Sequence, residues 1–203
     1  MRGRLKFLKL LSDFRSKNYE LRYVRDILKD AHLEFELYHR EWCAKNNIDL
    51  AILNKQNQRK VDMSFIESQT TKLKRQMVSD EVAEKRKSFK NLYKLIAKKL
   101  HPDKLSNDDP RKMEYEDAFK KATSANTSGK WGELFDVVDK YDIYLGEYED
   151  AIECLKVDIK RVEEELKKEK SSYSWALHEA ETEQEKAQVV KNFLRQLFGW
   201  REK

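Results

Sequence analysis

Apolar residues recur with alternating steps of three and four in two long stretches of the chain. The first stretch contains Leu21, Val24, Leu28, Ala31, Phe35, Tyr38 and Trp42. The second contains Leu145, Tyr148, Ile152, Leu155, Ile159, Val162 and Leu166. This spacing is the a/d pattern of a heptad repeat, whose narrow apolar stripe is buried best against another helix. The pattern predicts two long helices that pair within one molecule or, alternatively, with a second copy or another protein.

The direction of this pairing depends on the residues between the two stretches. A break is predicted at residues 45–49, where Asn47 or Asp49 can cap the next helix. A weaker seam of the same spacing then contains Met63, Ile66, Thr70, Leu73 and Met77. If residues 50–79 fold back as a helix, the two long helices run parallel, and otherwise they run antiparallel.

Both ends of the chain carry apolar patches of their own. The N-terminal patch contains Leu5, Phe7, Leu8, Leu10, Leu11 and Phe14, and the C-terminal patch contains Val189, Val190, Phe193, Leu194, Leu197, Phe198 and Trp200. We expect these patches to pack on each other or on a partner. Because basic residues accompany the N-terminal patch, binding to a membrane surface is a less favoured alternative.

A helical hairpin with a basic first arm is predicted between the two stretches. Its first helix has an apolar face formed by Phe89, Leu92 or Tyr93, Ile96 and Leu100. Its other positions are rich in cations, namely Lys85, Arg86, Lys87, Lys90, Lys94, Lys98 and Lys99. Pro102 disfavours helical geometry at His101, so this helix should end there. Asp109 and Pro110 then start a second helix that extends to about Thr123.

Composition supports an all-α fold. The chain has 203 residues, of which 39% are charged, with only 5 Gly and 2 Pro against the roughly 24 of average usage. Such a sequence excludes β-sandwiches, barrels and glycine-loop nucleotide folds. Two cysteines are too few for a disulfide framework and fit a reducing compartment. With no apolar run near the 18 or so residues of a membrane span, we expect a soluble, cytoplasmic protein.

The hairpin resembles the J-domain of DnaJ-type co-chaperones. The resemblance begins with the loop tripeptide His101-Pro102-Asp103. The flanking residues that also match the family pattern are Tyr93, Lys94, Ile96, Ala97, Lys99, Lys104, Ala118 and Phe119. A bare His-Pro-Asp tripeptide is a weak signal, whereas its combination with these flanking positions is specific.

The chain also departs from the family pattern. Leu95 stands where a second basic residue is common, and no Tyr-x-x-Leu-Gly sequence opens the domain. The usual first helix is therefore either replaced by residues 60–80 or absent. The chain lacks a Gly/Phe-rich linker and a repeated Cys-x-x-Cys module. The resemblance covers residues 80–140, and we expect a helical region at 1–79, a J-like hairpin at 80–142 and a C-terminal helical region at 143–203.

The resemblance implies a mechanism of contact without a cofactor and without an enzymatic reaction of the chain's own. The protein would bind the ATP-bound form of a DnaK-class (heat-shock 70 kDa) chaperone and stimulate its ATPase. The implied docking residues are His101, Pro102, Asp103, Lys104, Tyr93, Lys94, Lys90 and Lys98. Asp103 would offer a carboxylate to an arginine of the partner, while Pro102 and His101 would hold the loop.

The heptad helices would recruit a client or partner protein. The expected coiled-coil seam comprises Leu21, Val24, Leu28, Phe35, Trp42, Leu145, Ile152, Leu155, Ile159 and Val162. A homo-oligomer formed through the same residues stays open, because intramolecular and intermolecular seams have the same spacing.

Other classes of function are less well supported by the residues. His101 and Asp103 could act as a base and its orienting carboxylate, but no nucleophile is evident beside them. His39 and Cys43, with His32 nearby, fall short of the four ligands of a closed zinc site, so no metal is expected. Acidic runs such as Glu163-Glu164-Glu165 argue against a nucleic-acid surface. The main alternative is a structural or adaptor protein in which the J-like hairpin is vestigial or repurposed.

Overall fold

The described part of the chain is built mainly from helices. The computed structural model describes residues 2–55, 90–106, 108–146 and 148–201, with the backbone alone at residues 90 and 91. Its longer helices are α1 (Arg2–Lys45), α2 (Lys90–Leu100), α3 (Lys112–Ser128), α4 (Trp131–Lys140), α5 (Glu149–Lys170), α6 (Tyr173–Glu179) and α7 (Glu183–Phe198). The predicted all-α fold is confirmed. Across these ranges, each helix is too short or too polar to cross a membrane.

The ends of several helices follow from local chemistry. Asp49 accepts hydrogen bonds from the backbone N–H groups of Ala51, at 2.8 Å, and Ile52, at 3.2 Å, so the predicted cap is confirmed. α2 ends at Leu100 and His101 is extended, with φ −61° and ψ 129°, as the following proline requires.

The predicted bounds of the second hairpin helix are wrong at both ends. Asp109 bonds to the backbone N–H of Arg111 at 2.9 Å, which forms a turn before the helix begins at Lys112. The helix then continues past Thr123 to Ser128. It ends where Gly129 adopts the left-handed conformation, with φ 67°, because glycine enters that region without a steric penalty.

Two compact units divide the described residues. The first unit comprises the described residues within 1–18 and 74–163, and the second comprises those within 19–73 and 164–203. Each unit thus combines residues from more than one of the three segments expected from the sequence. The three-segment division itself stays a prediction about domains.

In the first unit, the start of α1 runs parallel to α5. Gly3 lies against Tyr148 and Glu149, and Lys17 pairs with Glu163 at 2.9 Å. The two helices therefore run in the same direction along their contact. The N-terminal apolar patch packs inside this unit, where the ring of Phe7 meets that of Phe135 in α4 edge to face at 5.5 Å.

In the second unit, the first heptad stripe is buried as far as Phe35 and half-buried at Tyr38 and Trp42. Arg25 binds Glu165 at 2.8 Å and Glu169 at 3.0 Å beside it. The C-terminal patch packs on the end of α1, where Trp42 and Trp200 meet edge to face at 6.2 Å. Each terminal patch therefore has apolar partners within its own unit.

The seam residues expected from the heptads are mostly shielded from solvent. The buried ones are Leu21, Val24, Leu28, Phe35, Ile152, Leu155, Ile159 and Val162. Trp42 and Leu145 are half-buried. Burial accounts for the apolar character of these positions, while a supercoiled seam or an oligomer built on them stays a prediction.

Candidate functional site

The hairpin that carries the tripeptide is stabilised by an apolar interface between its helices and by stacking of two aromatic rings. Its two helices pack through the buried Leu92, Ile96 and Leu100 of α2 and the buried Ala118, Ala122 and Ala125 of α3. The ring of Tyr93 stacks on Phe119 with centroids 6.2 Å apart, and its hydroxyl bonds to Thr123 Oγ1 at 2.9 Å. The small alanines allow close approach of the helices, so the two arms on either side of the turn are packed against each other.

The tip of the hairpin is a short 3-10 turn. It spans Pro102–Lys104, directly after the extended residue His101. The backbone N–H of His101 donates to Ala97 at 3.0 Å, and that of Lys104 donates to the His101 carbonyl at 3.1 Å. The His101 ring meets the ring of Phe119 edge-on at 5.3 Å. Phe119 therefore positions both the histidine and Tyr93.

His101 also organises the residue that follows the proline. Its Nδ1 accepts from the backbone N–H of Asp103 at 3.4 Å and lies 3.5 Å from Asp103 Oδ2. A neutral ring makes the first contact, and a protonated ring would donate to the carboxylate instead. The Asp103 side chain is nevertheless 86% exposed, against 44% for His101. The turn thus presents an oriented carboxylate to solvent.

The lysines of α2 divide into two kinds. Lys94 and Lys98 are exposed, and within the described ranges no carboxylate pairs with either of them. Lys99 instead donates to the backbone carbonyls of Tyr141 and Asp142, the second at 3.3 Å. Lys94 and Lys98 therefore remain available for a partner, whereas Lys99 ties α2 to the end of α4.

Two further predicted docking residues have contacts within the hairpin. Lys104 donates to the carbonyl of Lys98 and so satisfies an acceptor at the end of α2. Tyr93 stacks on Phe119 and bonds to Thr123. Both residues have an internal role, and their contact with a partner stays a prediction. The side chain of Lys90 and the residues Lys85, Arg86, Lys87 and Phe89 lie outside the described residues, as does the suggested replacement helix at 60–80.

Leu95 stands out on the same helix as an exposed apolar side chain. It is 47% exposed and follows Lys94 directly. The free face of α2 therefore combines two cations with one apolar residue.

The hairpin is anchored through α4 by a buried carboxylate that the sequence pattern did not single out. Asp158 of α5 is 1% exposed, and its Oδ2 accepts from the backbone N–H of Gly132 at 2.6 Å. It serves as the cap of α4, because the residue at the cap position, Lys130, makes no side-chain cap bond. Burial raises the pKa of Asp158, against the opposing effects of the Gly132 bond and the Arg161 charge.

The residues weighed for a metal site are engaged in ordinary contacts of the second unit. His39 stacks on Phe35, with ring centroids 5.3 Å apart, and its Nδ1 bonds to the Phe35 carbonyl at 3.0 Å. Cys43 is buried, which raises the pKa of its thiol, and His32 bonds to Ser174 at 2.7 Å. In the described part of the chain, His, Cys, Asp and Glu nowhere form a group of three that could hold a metal.

No protein-family model, curated protein or solved structure matches this chain. The resemblance of the hairpin to a J-domain therefore depends on the residues quoted above and on their spacing.

Proposed function

We propose that the protein is a J-domain co-chaperone. In this proposal the hairpin tip binds the ATP-bound form of a DnaK-class chaperone and stimulates its ATPase. The chain contributes contacts only, without a cofactor and without a covalent step of its own. The flanking helices hold the hairpin and recruit a client or partner.

One observation carries the proposal: the carboxylate of Asp103 projects from a turn that the protein itself keeps in place. Its backbone is fixed by Pro102 and His101, while its side chain is 86% exposed. A carboxylate carried on a backbone that is already held in place loses less conformational entropy on binding than one on a mobile loop. A guanidinium of the partner can then form a bidentate, charge-assisted pair with it.

The exposed cations of α2 support the same proposal through their charge. Lys94 and Lys98 lie one turn apart, and the described residues supply no acid to neutralise them. A basic face of this kind favours encounter with an acidic surface and fixes the orientation of docking. The tip and the basic face belong to one rigid hairpin, so one partner can contact both.

A single-turnover ATPase assay with a purified DnaK-class chaperone tests this function. The native chain is expected to accelerate hydrolysis, and Asp103→Asn and His101→Gln are expected to return it to the unstimulated rate. Asp108→Asn is the matched control, because Asp108 is an exposed aspartate of the same loop outside the tripeptide. Its stimulation should equal that of the native chain.

Full stimulation by Asp103→Asn would contradict the proposal. Equal loss in Asp103→Asn and Asp108→Asn would indicate a general effect of loop charge and would also contradict it. Absence of stimulation by the native chain would favour the alternative, an adaptor whose hairpin binds another partner.

A further inference from the structure

We infer that the second unit carries a docking groove for a basic amphipathic helix of another protein. The groove has a volume of about 400 Å³. We call it the acidic groove and define it by Glu34, Leu37, Tyr38, Glu41, Leu177 and Lys186. The acidic groove belongs to the second unit, and its proposed role does not depend on the co-chaperone proposal.

The apolar part of the acidic groove includes an exposed leucine of α1. Leu37 is 54% exposed, and Leu33, one turn earlier on α1, is 63% exposed. Leu177 of α6 is buried and lines the groove together with Leu37, whereas Leu33 lies one turn before the lining residues on α1. An exposed leucine in the groove and a second one turn earlier on the same helix form a site for apolar side chains of i, i+4 spacing.

The charge around the groove is negative. Glu34 and Glu41 are both exposed, and within the described ranges Glu34 has no cationic partner. Glu41 has only a long contact of 3.9 Å with Lys45. The lysine of the groove, Lys186, lies 3.7 Å from Glu183 and is balanced by it. A ligand that carries Lys or Arg beside its apolar residues would therefore complement both parts of the groove.

The shape and charge of the groove favour a helix over an extended peptide, an anionic lipid surface or a second copy of this chain. The groove lies between helices, so the described residues offer no strand edge that an extended peptide could join. Anionic lipid surfaces would be repelled by the two glutamates. In a second copy bound through the same surface, glutamates would face glutamates, so self-association is disfavoured as well.

A binding measurement on the full-length chain tests the inference. The probe is a fluorescent peptide of about 18 residues that contains only Leu and Lys in amphipathic helical spacing. We expect saturable binding by fluorescence anisotropy that weakens as salt is raised. A peptide with Glu in place of every Lys, and one of the original composition with scrambled spacing, should not bind.

Paired variants locate the site. Leu37→Ser and Glu34→Lys should each weaken binding about tenfold, since each removes one part of the complementarity. The matched controls are Leu5→Ser, at a leucine that is 65% exposed in the first unit, and Glu164→Lys, at an exposed glutamate outside the groove. Both controls should bind within about twofold of the native chain. Because all four positions are exposed, circular dichroism should show native helix content throughout.

Three outcomes would overturn the inference. The first is absence of binding by the Leu/Lys peptide, and the second is equal binding by the groove variants and the controls. The third is a concentration-dependent dimer in sedimentation that Leu37→Ser dissociates, because the groove would then be an interface between copies of this chain.

Discussion

Two aspartates of the first unit show opposite uses of a carboxylate. Asp103 is 86% exposed at the tip of the hairpin, whereas Asp158 is 1% exposed against the start of α4. The backbone of the first is held by one histidine and its carboxylate is exposed to solvent, whereas the second accepts a short backbone hydrogen bond and pairs with Arg161 at 3.2 Å. The comparison indicates that Asp158 serves the fold and that Asp103 is available to a partner.

The largest effect on stability is expected from Asp158→Ala. This change leaves the N–H groups at the start of α4 without an acceptor inside the protein. Loss of a charged acceptor that leaves buried backbone donors unsatisfied costs about 3 kcal/mol of the free energy of unfolding. Urea unfolding measures this loss, and Glu164→Ala, an exposed glutamate of the same helix, should stay within about 0.5 kcal/mol of the native chain. Equal stability of the two variants would refute the capping role.

Gly132→Ala should also destabilise the region around Asp158, by a smaller amount. A Cβ at this position would lie 2.5 Å from Cζ of Phe14, and Phe14 is 1% exposed and has no room to move. Overpacking of this kind costs about 1–3 kcal/mol, more than the gain in helix propensity of at most about 1 kcal/mol.

Gly3→Ala is the matched control for this substitution. Its added Cβ would make ordinary contacts of 3.7 Å with Tyr148 and Glu149. Thermal unfolding should show a lower Tm for Gly132→Ala and an unchanged or raised Tm for Gly3→Ala. The reverse order would contradict the packing described here.

Lys99 and Lys98 of α2 show the same contrast between a side chain that stabilises the fold and one that is exposed to solvent. Lys99→Met removes the donor to the carbonyls at the end of α4 and should cost about 1 kcal/mol of stability. Lys98→Met removes a cation for which the described residues supply no acid, so it should leave stability unchanged while it slows association with an acidic partner. Urea unfolding and stopped-flow binding separate the two effects. Equal loss of stability in both variants would contradict the assignment of a structural role to Lys99 and not to Lys98.

The pH dependence of stability should reveal the burial of Asp158. Because its folded pKa is raised above the usual value of 3.8, the protonated form is favoured by folding. The stability from this group is fully present below the unfolded pKa and is lost as pH rises through the folded pKa. Relative to Asp158→Asn, the native chain should therefore lose stability as pH increases from 4. A difference that is constant with pH would contradict the raised pKa.

The sequence predicted the features that depend on local spacing. The heptads located the two long helices, although the second pattern begins at Leu145, before α5 starts at Glu149. Pro102 located the end of α2, and Asp49 was one of the two residues predicted as a cap. The aromatic residue at Phe119 was also placed correctly in the second arm of the hairpin. Each of these signals lies within a few residues of the structure that it determines.

The features that the sequence did not reveal depend on distant residues. Asp158 lies 26 positions from Gly132 along the chain, and nothing in its own helix marks it as a cap for another. The need for a glycine at position 132 depends on its contact with Phe14, and the two residues come together only in the folded protein. Nothing in the sequence distinguished Lys99 from the neighbouring lysines, because the carbonyls that it binds belong to the distant turn after α4. The end of α3 was placed too early because Gly129 was not recognised as its stop.

The most direct test of the account is the affinity of the chain for a DnaK-class chaperone in ATP, compared between the native protein and Asp103→Asn. Loss of one partner from a desolvated charged pair costs about 2 kcal/mol or more, which is a roughly thirtyfold weaker affinity. We expect that loss together with unchanged urea unfolding, because the carboxylate is exposed. Equal affinity of the two proteins in ATP would contradict the assignment of Asp103 to a partner.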